Sequence, residues 1–310
     1  MSLEYQNTDK KLIDYNLFEF ENLHLRGPKP KLEKGSYFTC IGSAHTFGRY
    51  VEKPYPTLLA EKLGIEVLNI GVGGIGPHFF KKPSLLELIN NSRFVVVQTL
   101  SGRSTSNTAF DSKRGVGLTV KIEELSFQST EDKSSILSRK ENRDFLQSTP
   151  EESLQIPVGV RLHATKAYES LLKGRDKVFC DAIRQETKLR YTLAMIQLLS
   201  QIEVPKCLLY FSVREPSSLS NRYKSWKDYL GEFPQFVDRE VMKNIKLYSD
   251  RYVECVSTRG FPHELPIPLT VSSPSGRSRD IKFDNYYPSP EMHEDAFLAL
   301  LKVIHNSNFI

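Results

Sequence analysis

The sequence has few cysteines, and their spacing argues against a metal cluster. The four cysteines, Cys40, Cys180, Cys207 and Cys255, are scattered through 310 residues with no Cys-x-x-Cys pair. Structural zinc sites use closely spaced cysteine and histidine pairs, so we expect no metal. Three of the four lie in strand-like apolar runs, where a free thiol behaves as a small apolar side chain.

The sequence also lacks a long apolar run and a secretory leader. No segment approaches the length that a helix needs to span a bilayer, and residues 1–7 are polar rather than leader-like. We therefore expect no membrane span and a cytoplasmic, reduced protein.

A strong charge of one sign is missing as well. The chain carries 42 basic and 37 acidic residues, a net charge of +5. Such a small excess is not the concentrated basic face of a nucleic-acid-binding protein, although it suits a small anionic ligand. We expect no nucleic-acid partner, and the sequence does not indicate an oligomeric state.

What is present is an alternation of strands and helices. Apolar runs typical of strands cover 36–41, 65–70, 93–100, 206–213 and 252–257, with helical patterns between them and over 290–305. One of these patterns places Leu189, Leu193, Ile196 and Leu199 on a common helix face. Alternation of this kind predicts βαβ units and a parallel sheet covered on both sides.

The alternation stops between residues 104 and 177, which are polar with short apolar pieces. We interpret this region as an insertion, either a lid, a cap or an oligomerisation element; the alternative is a partly mobile excursion without a chemical role. Residues 1–35 form an irregular lead-in, and 36–310 form the α/β domain. The predicted fold is a three-layer αβα, flavodoxin-like domain with about five parallel strands.

The most informative segment is Cys40–Gly48, a turn between the first predicted strand and a helix. Gly42 and Gly48 are six residues apart and enclose small and polar side chains. Glycine lets a ligand approach the main chain closely, and the amides at a helix start favour an anion or oxyanion. The alternative is that this is only a tight βα turn.

These motifs, taken in order, resemble the SGNH, or GDSL-like, hydrolase superfamily. The turn at Gly42 matches the Gly-Asp-Ser block in position, Asn69–Gly71 matches the second block, and the segment around Arg103 stands where a Gly-x-Asn motif belongs. His293, at the start of the last helical segment, stands where the catalytic histidine belongs. Phrases such as Tyr286-Tyr287-Pro-Ser-Pro resemble an uncharacterised bacterial group of SGNH-like proteins.

The chain departs from the motifs of this superfamily at the catalytic positions. Aligning the glycines places Ala44 where the serine nucleophile belongs and Ser43 where the aspartate belongs. Pro290 stands where an aspartate would orient His293. The resemblance assigns the oxyanion or backbone cradle to the following residues: Gly42, Gly73, Gly74, Ser104 and Asn107.

Because alanine cannot act as a nucleophile, two routes remain. Ser43 attacks if the turn shifts by one residue, or the acceptor hydroxyl attacks an activated donor directly and the protein supplies a base. His293 or His45 is the candidate base, since the ordinary pKa of histidine lies near neutrality.

Arginines close to predicted strand ends favour an anionic donor. Arg49, Arg103 and Arg214 have the planar guanidinium that suits phosphate, sulfate and carboxylate groups. We expect no tightly bound cofactor, and coenzyme A or a sulfonucleotide is the candidate donor substrate. One relative in the SGNH-like set, a capsule-biosynthesis acetyltransferase family, offers a precedent for coenzyme A.

The sequence thus predicts an SGNH-like enzyme that transfers an acyl or sulfo group to a carbohydrate hydroxyl in surface-polysaccharide biosynthesis. One alternative is an esterase or deacetylase with Ser43 as nucleophile. A second is a catalytically degenerate protein that binds a glycan or a partner.

Overall fold

The computed structural model describes residues 2–113, 117–145, 148–217, 222–272, 278–307 and 309. The helices in these ranges are α1 Ser2–Asp9, α2 Ala44–Phe47, α3 Tyr55–Leu63, α4 Pro83–Asn90, α5 Thr130–Leu137, α6 Ala164–Gly174, α7 Lys177–Gln201, α8 Trp226–Leu230, α9 Arg239–Ile245 and α10 Pro290–His305. No helix in these ranges is long and apolar enough to cross a membrane.

The strands in the same ranges form one large sheet and several small ones. They are β1 Phe18–Phe20, β2 Leu23–Leu25, β3 Tyr37–Gly42, β4 Glu66–Gly71, β5 Val95–Gln98, β6 Phe110–Asp111, β7 Leu118–Val120, β8 Leu125–Ser126, β9 Gln155–Ile156, β10 Arg161–Leu162, β11 Lys206–Ser212, β12 Arg251–Val256, β13 His263–Ser272 and β14 Ser278–Asp284.

The large sheet has five parallel strands in the spatial order β4-β3-β5-β11-β12. Numbered by their place in this sheet, they run 2-1-3-4-5, the flavodoxin-like order. The predicted three-layer αβα fold is therefore confirmed, as are the five strands that the apolar runs indicated. From β3 the chain adds β4 on one side of the sheet and then β5, β11 and β12 on the other, so the topological switch point lies between β3 and β5.

Alternating side chains of the sheet form two apolar layers. Tyr37 and Ile41 face one side with α4, α7 and α9, whereas Phe38 and Cys40 face the other side with α3 and α10. Because successive side chains of a strand point to opposite faces, a strand covered on both sides is apolar throughout. The cysteines of β3, β11 and β12 pack in the second layer as free thiols.

Helix α7 buries a different face from the one predicted. Leu189 and Leu193 are 61% and 51% exposed, whereas Tyr191 and Met195 are fully buried against the sheet. Helix residues that are two positions apart differ by about 200° in direction, so Leu189 and Tyr191 lie on nearly opposite sides. The larger aromatic and thioether side chains pack in the core, so the predicted face was wrong for Leu189 and Leu193, whereas Leu199 is buried and Ile196 packs against the core.

Between residues 104 and 177 the chain forms short antiparallel strands, α5 and α6. Strands β10, β7 and β6 make a three-stranded sheet, and β8 pairs with β9. These elements share an apolar cluster with α8 and the first turns of α7, centred on Tyr168 and Tyr229. The region therefore packs on the main domain through its own core.

The hairpin of β13 and β14 was not predicted. Pro266 and Pro268 interrupt the apolar pattern of β13, and proline removes a backbone donor from a strand, so its sequence is atypical of a strand. Beyond the hairpin the chain passes Tyr286 and Tyr287 before α10 begins.

Candidate functional site

A small cavity of about 80 Å³ lies beyond the carboxyl ends of β3 and β5. This is the switch point at which flavodoxin-like sheets bind ligands. Its walls come from the lead-in, three strand ends, the insertion and the segment after the hairpin. The lining residues are Tyr5, Ser43, Ala44, His45, Gly73, Gly74, Ile75, Ser101, Arg103, Ser104, His163, Phe233, Tyr286 and Tyr287.

A larger depression, of about 420 Å³, lies at the opposite edge of the sheet, beside Lys206 and Asp250 at the amino ends of β11 and β12. Parallel sheets place their ligands at the carboxyl ends of the strands. The smaller cavity is therefore the candidate site, despite its size.

The turn that opens the site is held rigidly. Ser43 begins α2, and its Oγ accepts a hydrogen bond from the backbone N–H of His45 at 3.2 Å. Gly48 ends the helix with a φ of 77°, a conformation that favours glycine. A side chain at Gly42 would collide with the Thr46 hydroxyl and the Gln98 amide. Glycine is therefore needed at both ends of this turn.

Ser43 is bound to an amide oxygen and not to a base. Its backbone N–H and its Oγ–H both donate to Gln98 Oε1, at 2.9 and 3.0 Å, and the Thr46 hydroxyl donates to the same oxygen at 2.8 Å. A carboxamide oxygen does not remove a proton from serine at neutral pH. Ala44, beside it in the cavity wall, has no nucleophilic group, so the site lacks an activated serine.

His45 is the histidine of the turn that faces the cavity. Its side chain is stacked on Phe233 with ring centroids 3.8 Å apart, and the residue is only 4% exposed. No hydrogen-bond partner for Nδ1 is found in the part of the chain that the structure describes. Burial and, secondarily, the positive charge of Arg103 lower the pKa of His45 to about 3. The ring is therefore neutral at pH 7.

Arg103 supplies the positive charge of the cavity. Its backbone N–H is held by Ser101 Oγ at 3.3 Å, and its Nη2 donates to the Tyr286 hydroxyl at 3.0 Å. Within the described ranges, no carboxylate oxygen lies within 4.0 Å of its guanidinium. Burial raises the pKa of Tyr286, so that partner is a neutral phenol. Arg103 thus keeps its capacity to bind an anion.

The predicted cradle is only partly assembled at the cavity. Gly73 and Gly74 line it, and Ser104 Oγ donates to the Gly74 carbonyl at 3.2 Å. Asn107 lies elsewhere: its Nδ2 donates to Thr187 Oγ1 at 2.9 Å, and its Oδ1 accepts two backbone N–H groups. Asn107 therefore holds the start of the insertion and does not reach the cavity.

Two of the predicted anion-binding arginines are engaged in structural contacts. Arg49 forms an ion pair with the buried Asp9 at 2.9 Å, with its guanidinium 4.2 Å from the Tyr5 ring centroid. Arg214 donates to the backbone carbonyls of Pro234 and Val237 at 3.0 and 2.8 Å. Arg103 is the one of the three that lines the cavity.

His293 lies in the core and not in the cavity wall. It is fully buried, and its Nδ1 accepts the backbone N–H of Tyr55 at 3.2 Å. Burial is the main cause that lowers its pKa well below the usual range. Since Nδ1 is an acceptor here, the neutral ring carries its proton on Nε2. His293 therefore supports the start of α3.

Several cavity residues were missed at the sequence level. Tyr5, His163 and Phe233 carry no motif that separates them from ordinary polar or apolar positions. Tyr286 and Tyr287 belong to a short segment that contributed to the family resemblance, so the sequence did mark these two residues. His163 comes from the insertion and brings that region into the site; its Nδ1 is 2.9 Å from Thr165 Oγ1.

Comparison with family models finds a match that covers only the first part of the chain. A family model described as a domain of unknown function, DUF6473, matches residues 1–113, which include the lead-in, the turn and Arg103. No curated protein matches the sequence.

Two solved structures are similar to this chain at low identity. One is a family 2 carbohydrate esterase with a carbohydrate-binding domain from Corynascus thermopiles (Myceliophthora fergusii), with 13% identity and a TM-score of 0.37 over 90% of this chain and 68% of that one. The other is the lipase Lip_vut3 from a goat rumen metagenome, with 12% identity and a TM-score of 0.39 over 88% of this chain and 99% of that one.

Proposed function

We propose that this protein is an enzyme that transfers a small acyl or sulfo group from an activated, phosphate-bearing donor to a carbohydrate hydroxyl. The observation that carries the proposal is one pairing in one cavity. Arg103, which has no carboxylate partner among the described residues, lines the same cavity as the neutral imidazole of His45. An anion-binding group beside a proton acceptor is what group transfer to a hydroxyl needs.

The size of the cavity supports a small transferred group. Its volume of about 80 Å³ is small beside the roughly 300–1,000 Å³ of pockets for drug-sized ligands. This favours a small transferred group, such as acetyl or sulfuryl, over a whole sugar ring. The rest of both substrates would then lie outside it.

Direct transfer fits the site better than a serine mechanism. Ser43 donates to Gln98, Ala44 replaces the nucleophile, and His293 is held by Tyr55. In the proposed step the acceptor O–H bond breaks and its proton goes to the unprotonated ring nitrogen of His45. The acceptor oxygen then bonds to the acyl carbon or sulfur as the bond to the donor's leaving group breaks.

The low pKa of His45 is compatible with this role once a donor is bound. Burial is the main cause that lowers the pKa of His45 and the charge of Arg103 is the second; an anion bound to Arg103 would offset the second cause only. A nearby negative charge raises the pKa of an imidazole. His45 would therefore become more basic only when the donor occupies the cavity.

A second candidate is a carbohydrate-binding protein without activity. It is favoured by Ala44 at the nucleophile position and by the weak basicity of an imidazole with a pKa of about 3. Thermal shifts separate the two, since a ligand that binds only the folded state raises the melting temperature. Stabilisation by coenzyme A or adenosine 3′,5′-bisphosphate supports the transferase, and stabilisation by oligosaccharides alone supports the binding protein.

The transferase is tested directly by mass spectrometry. The protein is incubated with acetyl-coenzyme A or a sulfonucleotide and a pool of oligosaccharides, and the acceptors are examined for added mass. Arg103→Gln should abolish turnover, whereas Arg143→Gln, an exposed arginine of the insertion outside the cavity lining, should retain it. Ester hydrolysis that depends on Ser43 would instead support the esterase alternative.

A further inference from the structure

A second cavity adjoins the candidate site and contains a different mixture of side chains. It has a volume of about 330 Å³ and is lined by Glu4, Gly117, Arg139, Glu141, Arg161, Leu162 and His163. His163 lines both cavities. In α1, Glu4 faces this groove and the next residue, Tyr5, lines the small cavity. A ligand could therefore extend from one space into the other past His163.

The charges of this groove balance one another. Two arginines face two glutamates, whereas the small cavity has Arg103 and no carboxylate in its lining. Arg139, Glu4 and Glu141 are exposed and, among the described residues, form no ion pair within 4.0 Å. Their donors and acceptors are therefore available to a ligand.

A mixed set of this kind suits a polyhydroxylated ligand. Each sugar hydroxyl both donates and accepts hydrogen bonds, so carboxylates and guanidinium groups can bind neighbouring hydroxyls with charge-assisted bonds. A fully ionised phosphate group, which only accepts, would be attracted by Arg139 but repelled by Glu4 and Glu141, so the groove does not favour it over a neutral ligand. The groove also has about four times the volume of the small cavity, enough for one or more sugar rings.

We infer that this groove is the subsite for the neutral carbohydrate acceptor, with His163 at its junction with the small cavity. That the bound saccharide is the acceptor rests on the proposed transfer, whereas saccharide binding in the groove does not depend on the proposed transfer. Anionic donor and neutral acceptor would then be bound by different parts of the chain: the strand ends hold the donor group, and the insertion with α1 holds the sugar.

The test is binding of neutral trisaccharides, built from glucose, galactose or N-acetylglucosamine, to the full chain by titration calorimetry or ligand-observed NMR. At least one should bind the wild type, and Arg139→Gln and Glu141→Gln should each weaken it about tenfold through loss of charge-assisted hydrogen bonds. Arg143→Gln and Glu152→Gln, exposed changes in the same insertion that line neither cavity, are the matched controls. The thermal shift with coenzyme A should remain the same in all four variants.

The outcomes separate this inference from the proposed function. Trisaccharide binding that is lost in both groove variants supports the groove even if no transfer is detected. Transfer that continues unchanged in Arg139→Gln and Glu141→Gln would overturn the groove and leave the proposed function intact. Absence of trisaccharide binding to the wild type at millimolar concentrations, or inorganic phosphate binding that Arg139→Gln removes, would also overturn it.

Discussion

The turn after β3 and the start of α10 each carry a histidine where the family resemblance places catalysis, yet the two histidines have different surroundings. His45 lines a cavity beside an arginine, and in the described part of the chain its Nδ1 has no hydrogen-bond partner. His293 is fully buried, and its Nδ1 accepts the Tyr55 N–H. The difference shows that the order of motifs along a chain does not determine which imidazole can reach a substrate.

The most direct test of this difference is to make the same substitution at His45 and at His293. Asparagine keeps a polar atom near the place of Nδ1 but cannot act as a base at neutral pH. His45→Asn should reduce transfer about 100-fold or more, the usual contribution of a general base, whereas His293→Asn should change it less than about threefold, because it lies outside the cavity.

The measurement is turnover of acetyl-coenzyme A or a sulfonucleotide with the oligosaccharide pool, with folding of both variants checked by circular dichroism. A larger loss in His293→Asn than in His45→Asn, at equal folded fraction, would reverse the assignment.

The second prediction concerns stability and pH at His293. The folded-state pKa is well below the ordinary value of 6.5, so below pH 6.5 the unfolded chain binds a proton that the folded chain excludes. The free energy of unfolding must therefore fall as the pH decreases, by about 1.4 kcal/mol per pH unit for this residue. His293→Asn should remove that share, about 2 kcal/mol between pH 6.5 and 5.

Urea unfolding at several pH values measures this slope. His305→Asn, an exposed change on the same helix, controls for replacing a histidine there. The other histidines with lowered pKa values, His45 and His263 among them, leave a residual slope of the same sign. An unchanged slope in His293→Asn would show that the ring is protonated in the folded state.

The third prediction compares the N-terminal caps of the two helices, α2 and α10. Ser43 caps α2 and Ser289 caps α10, each accepting a backbone N–H at 3.2 Å. Replacing either serine with alanine should cost about 1 kcal/mol of stability, since each hydroxyl caps its helix and also donates a hydrogen bond, from Ser43 to Gln98 and from Ser289 to the Arg259 carbonyl.

Chemical denaturation measures both costs, and turnover of the same variants adds a functional readout. Ser43→Ala should retain transfer in proportion to its folded fraction. Complete loss of activity with an intact fold would indicate that Ser43 is the nucleophile.

The smallest expected effect is that of Ala44→Ser, which restores the residue of the family motif. The imidazole at the family's base position, His293, does not line the cavity. The new hydroxyl should therefore stay unactivated, and hydrolysis of p-nitrophenyl acetate should not rise above that of the wild type. A burst of p-nitrophenol would show that His45 can activate a neighbouring serine.

Some structural features could be predicted because they depend on local patterns. The strands at 36–41 and 206–213 carry runs of apolar residues that only a sheet covered on both faces can bury. The last helix begins at Pro290, as expected, because proline suits a first turn. The cavity position was predictable too, since parallel strands present their carboxyl ends at one edge of the sheet.

Other features depended on contacts between distant residues. The exposed faces of Leu189 and Leu193 follow from how α7 is rotated against the sheet. Asn107, Arg49 and Arg214 have the chemistry of site residues, but partners elsewhere in the fold engage them. Tyr5 and His163 are each at least 40 positions along the chain from His45 and from Arg103, so no local pattern marks them.

The sequence alone therefore determined the sheet, its carboxyl edge and the replacement of the nucleophile by Ala44, because each follows from periodicity or from residue identity. Only the tertiary structure decided which histidine and which arginine face the cavity. That choice depends on burial and on hydrogen-bond partners, such as Tyr55 for His293 and Tyr286 for Arg103, and these partners come together only when the chain is folded.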